Sequence, residues 1–201
     1  MQTAHEMFVH ELQDLLDAEQ QLIEALGKQA QECSRPDLQK AFQSHQAQTE
    51  KQAERLRQCF EILGEEPQEV ECDGIRGLIK EHDSFIEEED PAEDLIDIFN
   101  TVAAAKVESY EIQAYQSVIR MADLMEHKKV SKLLNQTLKE EQQTLKKMEG
   151  FSKKLKPENL GMEDEEEEGE EMEEGSEGTE TGAGRKGSGS SGSRSRRGRA
   201  A

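Results

Sequence analysis

Residues 8–30, FVHELQDLLDAEQQLIEALGKQA, place Phe8, Leu12, Leu15, Leu22 and Leu26 at steps of three, four and seven. Such steps return to one face of an α-helix, so the segment reads as an amphipathic helix with a core-facing stripe. Glu19 falls on that stripe, four residues after Leu15 and three before Leu22. A carboxylate among leucines is costly unless something neutralises it or hydrogen-bonds to it. Upstream, Thr3 and Glu6 have capping-box spacing, so helix A is predicted to start at Thr3 and to end near Cys33.

Ser34 and Pro36 precede helix B, whose stripe is Leu38, Phe42, Leu56, Cys59 and Leu63, with Gly64 as its stop. Residues 65–90 form a long crossover with a short amphipathic segment begun by Asp73 and carrying Ile75, Leu78, Ile79, Phe85 and Ile86. Asp90, Pro91 and Glu93 supply a cap, a first-turn proline and a capping-box carboxylate for helix C. Its inward stripe is read as Leu95, Ile98, Val102, Ala105, Ile112, Tyr115 and Ile119, ending near Glu126. Helix D covers about residues 128–155, with Val130, Leu134, Thr137, Leu138, Leu145 and Met148 inward and Pro157 beyond it. Short A–B and C–D turns around a long B–C crossover predict an all-α, ferritin-like antiparallel four-helix bundle over residues 1–160.

Composition agrees with an all-helical reading: there is no Trp, only 4% aromatic residues, and all but one of the 4 prolines precede residue 157 at predicted turns. The formal net charge is −20. Residues 163–180 hold 12 of the 45 acidic side chains and 185–199 hold 6 of the 25 basic ones, which leaves about −14 on the bundle. A surface of that sign repels nucleic acid and anionic membranes. Residues 161–201, acidic and then rich in Gly, Ser and Arg, are expected to be a disordered tail. Cys33, Cys59 and Cys72 make an odd count without metal-type spacing, and no stretch approaches a membrane span, so a cytoplasmic protein is expected.

Each predicted bundle helix carries polar groups in mid-length on its inward face. Helix A has Glu19, and helix B has His45, Thr49 and Gln52, with Gln48 at the border. Helix C has Glu108, three after Ala105 and four before Ile112, and Glu111 one turn on. Helix D has Glu141, four before Leu145. Glu108 and Glu141 are 33 residues apart, a separation that two antiparallel helices joined by a short turn bring to one layer. Hard oxygen ligands with an imidazole suit iron or manganese, which would relieve the mutual repulsion of the carboxylates. A polar layer that fixes the register of a metal-free bundle, with His45 as a core histidine, accounts for the same residues. Glu140 reads as a solvated face, and Tyr110 and Tyr115 as packing residues.

Five stretches carry a family resemblance: residues 8–30, SHQAQTEKQAERLRQCFEILG (44–64), CDGIRGLIKEH (72–82), AAAKVESYEIQAYQS (103–117) and KLLNQTLKEEQQT (132–144). In this order they resemble the YciF-like family of bacterial ferritin-like stress proteins, distant relatives of rubrerythrin. The resemblance implies a homodimeric helical bundle with a di-metal carboxylate centre linked to stress responses. Carried onto matching positions, it points to Glu19, His45, Glu108, Glu111 and Glu141 as ligands of iron or manganese. Gln48 stands where relatives often have a carboxylate, and Ser109 where they often have histidine. No enzyme name follows from these residues.

Overall fold

The computed structural model describes residues 1–154 and consists, over that range, of five α-helices: α1 (Ala4–Glu32), α2 (Pro36–Leu63), α3 (Asp73–Glu89), α4 (Glu93–Leu124) and α5 (Lys128–Ser152). The helix ends follow from local chemistry. Thr3 caps α1 with the complete reciprocal box, its hydroxyl accepting from Glu6 N–H while Glu6 accepts from the Thr3 backbone. Pro36 occupies the first turn of α2, and Gly64, at φ 73°, closes it in the left-handed region. Its N–H and that of Glu65 bond back to carbonyls of the last turn, so the orphan acceptors there are satisfied.

The start of α4 differs from the sequence expectation. Asp90 does not cap it; at φ 43° it ends α3 instead, and Ala92 takes the N-cap position without a side-chain bond. The tail expected over residues 161–201, and the stop expected at Pro157, lie outside the described residues.

Two apolar clusters show how the helices run. One joins Phe8 and Leu12 at the start of α1 to Leu56 and Phe60 at the end of α2, Val118 and Ala122 late in α4, and Val130 and Leu134 early in α5. The other joins Leu22 and Leu26 of α1 to Leu38 and Phe42 of α2 and to Met148 and Phe151 at the end of α5. Starts pair with ends in α1–α2, α4–α5, α1–α4 and α2–α5, so each of the four long helices is antiparallel to both neighbours. α3, the crossover helix, packs against α1 and α4. Between the two clusters every long helix contributes buried polar residues, and the candidate centre sits in this layer.

Polar clamps set the connections. The turn between α1 and α2 leaves donors that Asp97 of α4 accepts: Ser34 N–H at 2.9 Å, Ser34 hydroxyl at 2.7 Å and Arg35 N–H at 3.1 Å. Asp17 of α1 accepts the Cys72 N–H at 2.7 Å and so pins the entry to α3. Apolar spacing points to neither residue.

The face of α4 is a correction. Leu95 and Val102, expected inward, are each 41% exposed, while Asp97, Asn100, Ala103, Ala104, Glu108, Glu111 and Tyr115 are buried. α4 packs against α1, α3 and α5 together, so burial spreads around it and small residues take the close contacts that a leucine stripe would otherwise mark.

Candidate metal centre

Helical phase delivers all five expected ligands to the interior. Glu19, Glu108 and Glu141 are wholly buried, and Glu111 and His45 nearly so. His45 Nε2 lies 3.2 Å from Glu108 Oε1 and 4.0 Å from Glu141 Oε2. One ligand atom from each of the three falls within 4.8 Å of the other two. Donors bound about 2.1 Å from a cation are separated by roughly 3 Å when adjacent and by about 4 Å when opposite, so these separations match a shared cation. Glu19 and Glu111 stand close enough for their charges to act on Glu108 and Glu141, but outside that tight triad.

Unmet polar atoms mark the layer. Glu19 Oε2, both oxygens of Glu108, Glu111 Oε1, Glu141 Oε2, His45 Nδ1, Gln48 Nε2 and Gln52 Oε1 are buried without a hydrogen-bond partner among the described residues. Native interiors pair nearly all such atoms, so their concentration in one layer fits a site that takes up a cation or protons. The approach of His45 Nε2 to Glu108 is a close contact without hydrogen-bond geometry.

Electrostatics agrees with the geometry. Burial first, and neighbouring carboxylates second, hold Glu19, Glu108 and Glu111 well above the usual carboxylate range. Burial also lifts Glu141 to about 7 and drops His45 to about 4, leaving the imidazole neutral and able to donate a lone pair.

Partners around the layer fix some of its oxygens. The Tyr115 hydroxyl donates to Glu19 Oε1, and the Gln52 amide donates to Glu141 Oε1 and, at 3.2 Å, to Glu140 Oε2. Arg55 donates to both oxygens of Glu140, at 3.0 and 3.2 Å, and to the Thr137 hydroxyl at 2.6 Å. Glu140 is therefore not a solvated face but the link between Arg55 and Gln52. Tyr115 does more than pack, because its hydroxyl orients a candidate ligand.

The expected gaps in the ligand set are also visible. The Thr144 hydroxyl donates at 3.2 Å to the Glu140 carbonyl of its own helix, and Ser109 is exposed with its hydroxyl on the Ala105 carbonyl. Gln48 is half-buried beside the layer with its amide nitrogen unpaired.

A second buried histidine, His82 on α3, was not singled out by apolar spacing. It lies 2.6 Å from Asn100 Oδ1 and 3.6 Å from Glu32 Oε2, and stacks on Phe99. Cys33, Cys59 and Cys72 are buried free thiols, and no helix among the described residues is long and apolar enough to cross a membrane.

Comparison with known proteins places this architecture. Residues 3–161 match the family model described as a domain of unknown function, DUF892. Over 145 residues the chain is 37% identical to Protein YciF of Escherichia coli, covering 72% of this chain and 87% of that protein. The crystal structure of the E. coli stress protein YciF superposes with a TM-score of 0.73 at 33% identity, covering 81% of this chain and all of that one. YcfI of Rhodopseudomonas palustris superposes with a TM-score of 0.72 at 36% identity, over 74% of this chain and 94% of its own. With a family match across most of its length and a bundle shared with two solved relatives, the chain belongs to the DUF892 family, that of the YciF-like proteins.

Proposed function

We propose that this chain is a metal-binding stress protein of the ferritin-like type, holding iron or manganese between its four long helices. The observation that carries this reading is the buried triad of His45, Glu108 and Glu141, with both oxygens of Glu108 and Oε2 of Glu141 unpaired among the described residues. Glu108 and Glu141 would bridge or flank the metal, His45 would donate through Nε2, and Glu19 and Glu111 would complete a two-metal shell. Bound iron or manganese would supply one-electron chemistry toward oxygen or peroxide, in keeping with protection from oxidative damage. Tyr115 and Gln52 would hold one oxygen of Glu19 and of Glu141, leaving the other oxygen of each free for the metal. The stress role comes from the E. coli relative named as a stress protein. A homodimer in the cytoplasm is part of the same proposal.

Elemental analysis of protein purified without chelator tests it, alongside a Glu108→Ala, Glu141→Ala double variant. The expected result is about one metal or more per chain in the parent, little in the variant, and a higher melting temperature on adding ferrous or manganous ion to the parent alone. Less than about 0.2 metal per chain in both, with no stabilisation by either ion, would overturn it.

A second reading is favoured by one observation: α2 offers His45 and Gln48, and α5 offers Glu141 and Thr144, so the paired Glu-x-x-His set of a full two-metal site is incomplete. On this reading the chain is a metal-free structural or interaction bundle whose buried carboxylates carry protons. Rhodopseudomonas YcfI, described as a candidate structural protein, is a relative of that kind. The same elemental analysis separates the two.

A further inference from the structure

A cavity of about 300 Å³ lies where α3 crosses α1 and α4. Its walls are mainly apolar, formed by Leu22 and Leu26 of α1, Leu78 and Ile79 of α3, and Ala104 and Val107 of α4. At its inner end are His45 and Glu108, two members of the buried triad. At its outer end are the exposed Glu24 and Lys28, the latter paired to Asp83 at 2.8 Å. The cavity therefore runs from the surface to the candidate metal ligands.

Three physical features define what it accepts. A hydrated cation would have to shed water against aliphatic walls, which disfavours the cavity as an ion route. An anion would have to give up its hydration against the same walls and would meet at the inner end a carboxyl, that of Glu108, rather than a cationic partner. Dioxygen or peroxide needs little more room than a water molecule, about 30 Å³, so the space is several times too large for either alone. What remains is a neutral organic molecule with an apolar body and a single hydrogen-bonding head. Glu108 and His45, both more than nine-tenths buried, are the polar groups such a head would meet at the inner end, while the equally enclosed His82 and Gln29 line the cavity further out. Small-molecule sites combine the same elements, a mostly apolar enclosure with a few converging polar groups.

We infer that the cavity beneath α3 is a binding chamber for a neutral, mainly apolar organic molecule of about ten non-hydrogen atoms, whose head group reaches His45 and Glu108. The chamber rests on the geometry of the cavity, and its metal-facing end rests on the proposed metal reading. It makes the site one that acts on, or is regulated by, an organic ligand, rather than one that handles ions alone.

The test titrates the full-length, metal-free protein with octanol and follows the methyl NMR signals of Leu22, Ile79 and Val107. Saturable shifts at these methyls are expected, with Kd below about 1 mM, and octanoate should bind at least about tenfold more weakly. Ala104→Leu fills the chamber from its buried wall and Ala25→Leu from a half-buried position, so at least one variant should fold; octanol binding should weaken at least about tenfold. Absence of saturable shifts, shifts that persist in both folded variants, or octanoate binding as tight as octanol would overturn the inference.

A cobalt arm separates it from the metal reading. In cobalt-loaded protein, octanol should change the visible absorption of the metal, and an unchanged spectrum with octanol bound would overturn the reach to His45 and Glu108. Octanol binding at these methyls in a protein that takes up no cobalt would remove the metal reading and leave the chamber standing. Cobalt uptake without octanol binding would do the reverse.

Discussion

The hydroxyl of Tyr115 on α4 donates to Oε1 of Glu19 on α1, across 96 residues of sequence and with both side chains fully buried. One oxygen of Glu19 is thus committed to protein, and Oε2 is left unpaired in the polar layer. The bond also explains why a tyrosine lies where phenylalanine would pack as well.

Tyr115→Phe removes that donor and strands the second oxygen of Glu19. The buried carboxyl then lacks any partner in the metal-free state, so a stability loss of about 1–3 kcal/mol is expected in urea denaturation. If Glu19 is a ligand, the same variant should weaken manganese or ferrous binding severalfold, because its orientation is no longer held. Unchanged stability and metal content would mean that the hydroxyl is incidental.

Stability should depend on pH in a way that reports the layer. Glu141, lifted to about 7 by burial, binds its proton more tightly folded than unfolded. Its favourable contribution is complete below the ordinary value of 4.5 and is lost as pH rises through 7, by about 3 kcal/mol. Glu19, Glu108 and Glu111 shift in the same direction and add to the loss. His45, lowered to about 4, acts oppositely, and the instability it causes in acid is relieved as pH rises from 4 through its ordinary 6.5. Metal-free protein should therefore weaken between about pH 6.5 and 8, where only the carboxylates still titrate. Stabilisation by added metal should grow across the same interval, because the ion competes with protons for the same oxygens. Denaturant midpoints measured with chelator and with manganese check both slopes.

Glu108→Gln keeps the shape and removes a charge. Above pH 7 the metal-free variant should be more stable than the parent, by about 1–3 kcal/mol, since one of several mutually repelling carboxyls is gone. Metal affinity should fall by at least about tenfold if Glu108 is a ligand. A variant that loses stability at pH 8 in chelator would show that Glu108 is not under repulsion there.

Arg55→Ala opens the clasp between α2 and α5. It removes two charge-assisted bonds to Glu140 and one to Thr137 in a half-buried setting, so a loss of about 1–3 kcal/mol is expected. Arg55 also favours the charged form of Glu141, so its removal lifts that carboxyl further, and the decline in stability with rising pH should continue to higher pH than in the parent. The two chelator titrations measured side by side test this.

Glycines in α3 separate close approach from helix propensity. A Cβ at Gly74 would stand 2.5 Å from the Tyr110 hydroxyl oxygen and 2.6 Å from its ring, whereas one at Gly77 would meet nothing within 4 Å. Gly77→Ala should therefore stabilise by about 0.5–1 kcal/mol through backbone entropy. Gly74→Ala has the same gain available but must displace the Tyr110 side chain, whose hydroxyl lies 3.4 Å from Cys72 Sγ, at about 1–3 kcal/mol. Thermal unfolding of the two variants should move in opposite directions.

The helices and the candidate ligands were legible because both are local properties of the chain. The stripe of residues 8–30 specifies α1 and the burial of Glu19 through helical period alone, and Gly64 and Thr3 mark their helix ends by backbone chemistry. The 33-residue spacing of Glu108 and Glu141 needed only a short turn between antiparallel helices to bring them together. α4 was harder: its apolar residues occupy more than one face, and periodicity cannot say which of Val102 or Ala103 meets a neighbour. The Arg55 clasp on Glu140 and the bond from the packed Tyr115 to Glu19 were not legible, because a side chain's partner on another helix leaves no trace in its own neighbourhood.

Helical period and chain connectivity suffice for the helices, their antiparallel order and the inward phase of Glu19, His45, Glu108, Glu111 and Glu141. Three outcomes appear only in the folded bundle: His45, Glu108 and Glu141 converge while Glu19 and Glu111 stand apart, Tyr115 and Gln52 each hold an oxygen, and a cavity beneath α3 reaches the layer. Those outcomes depend on how far helices rotate and close on one another, which is set by packing across the whole bundle rather than by any one segment.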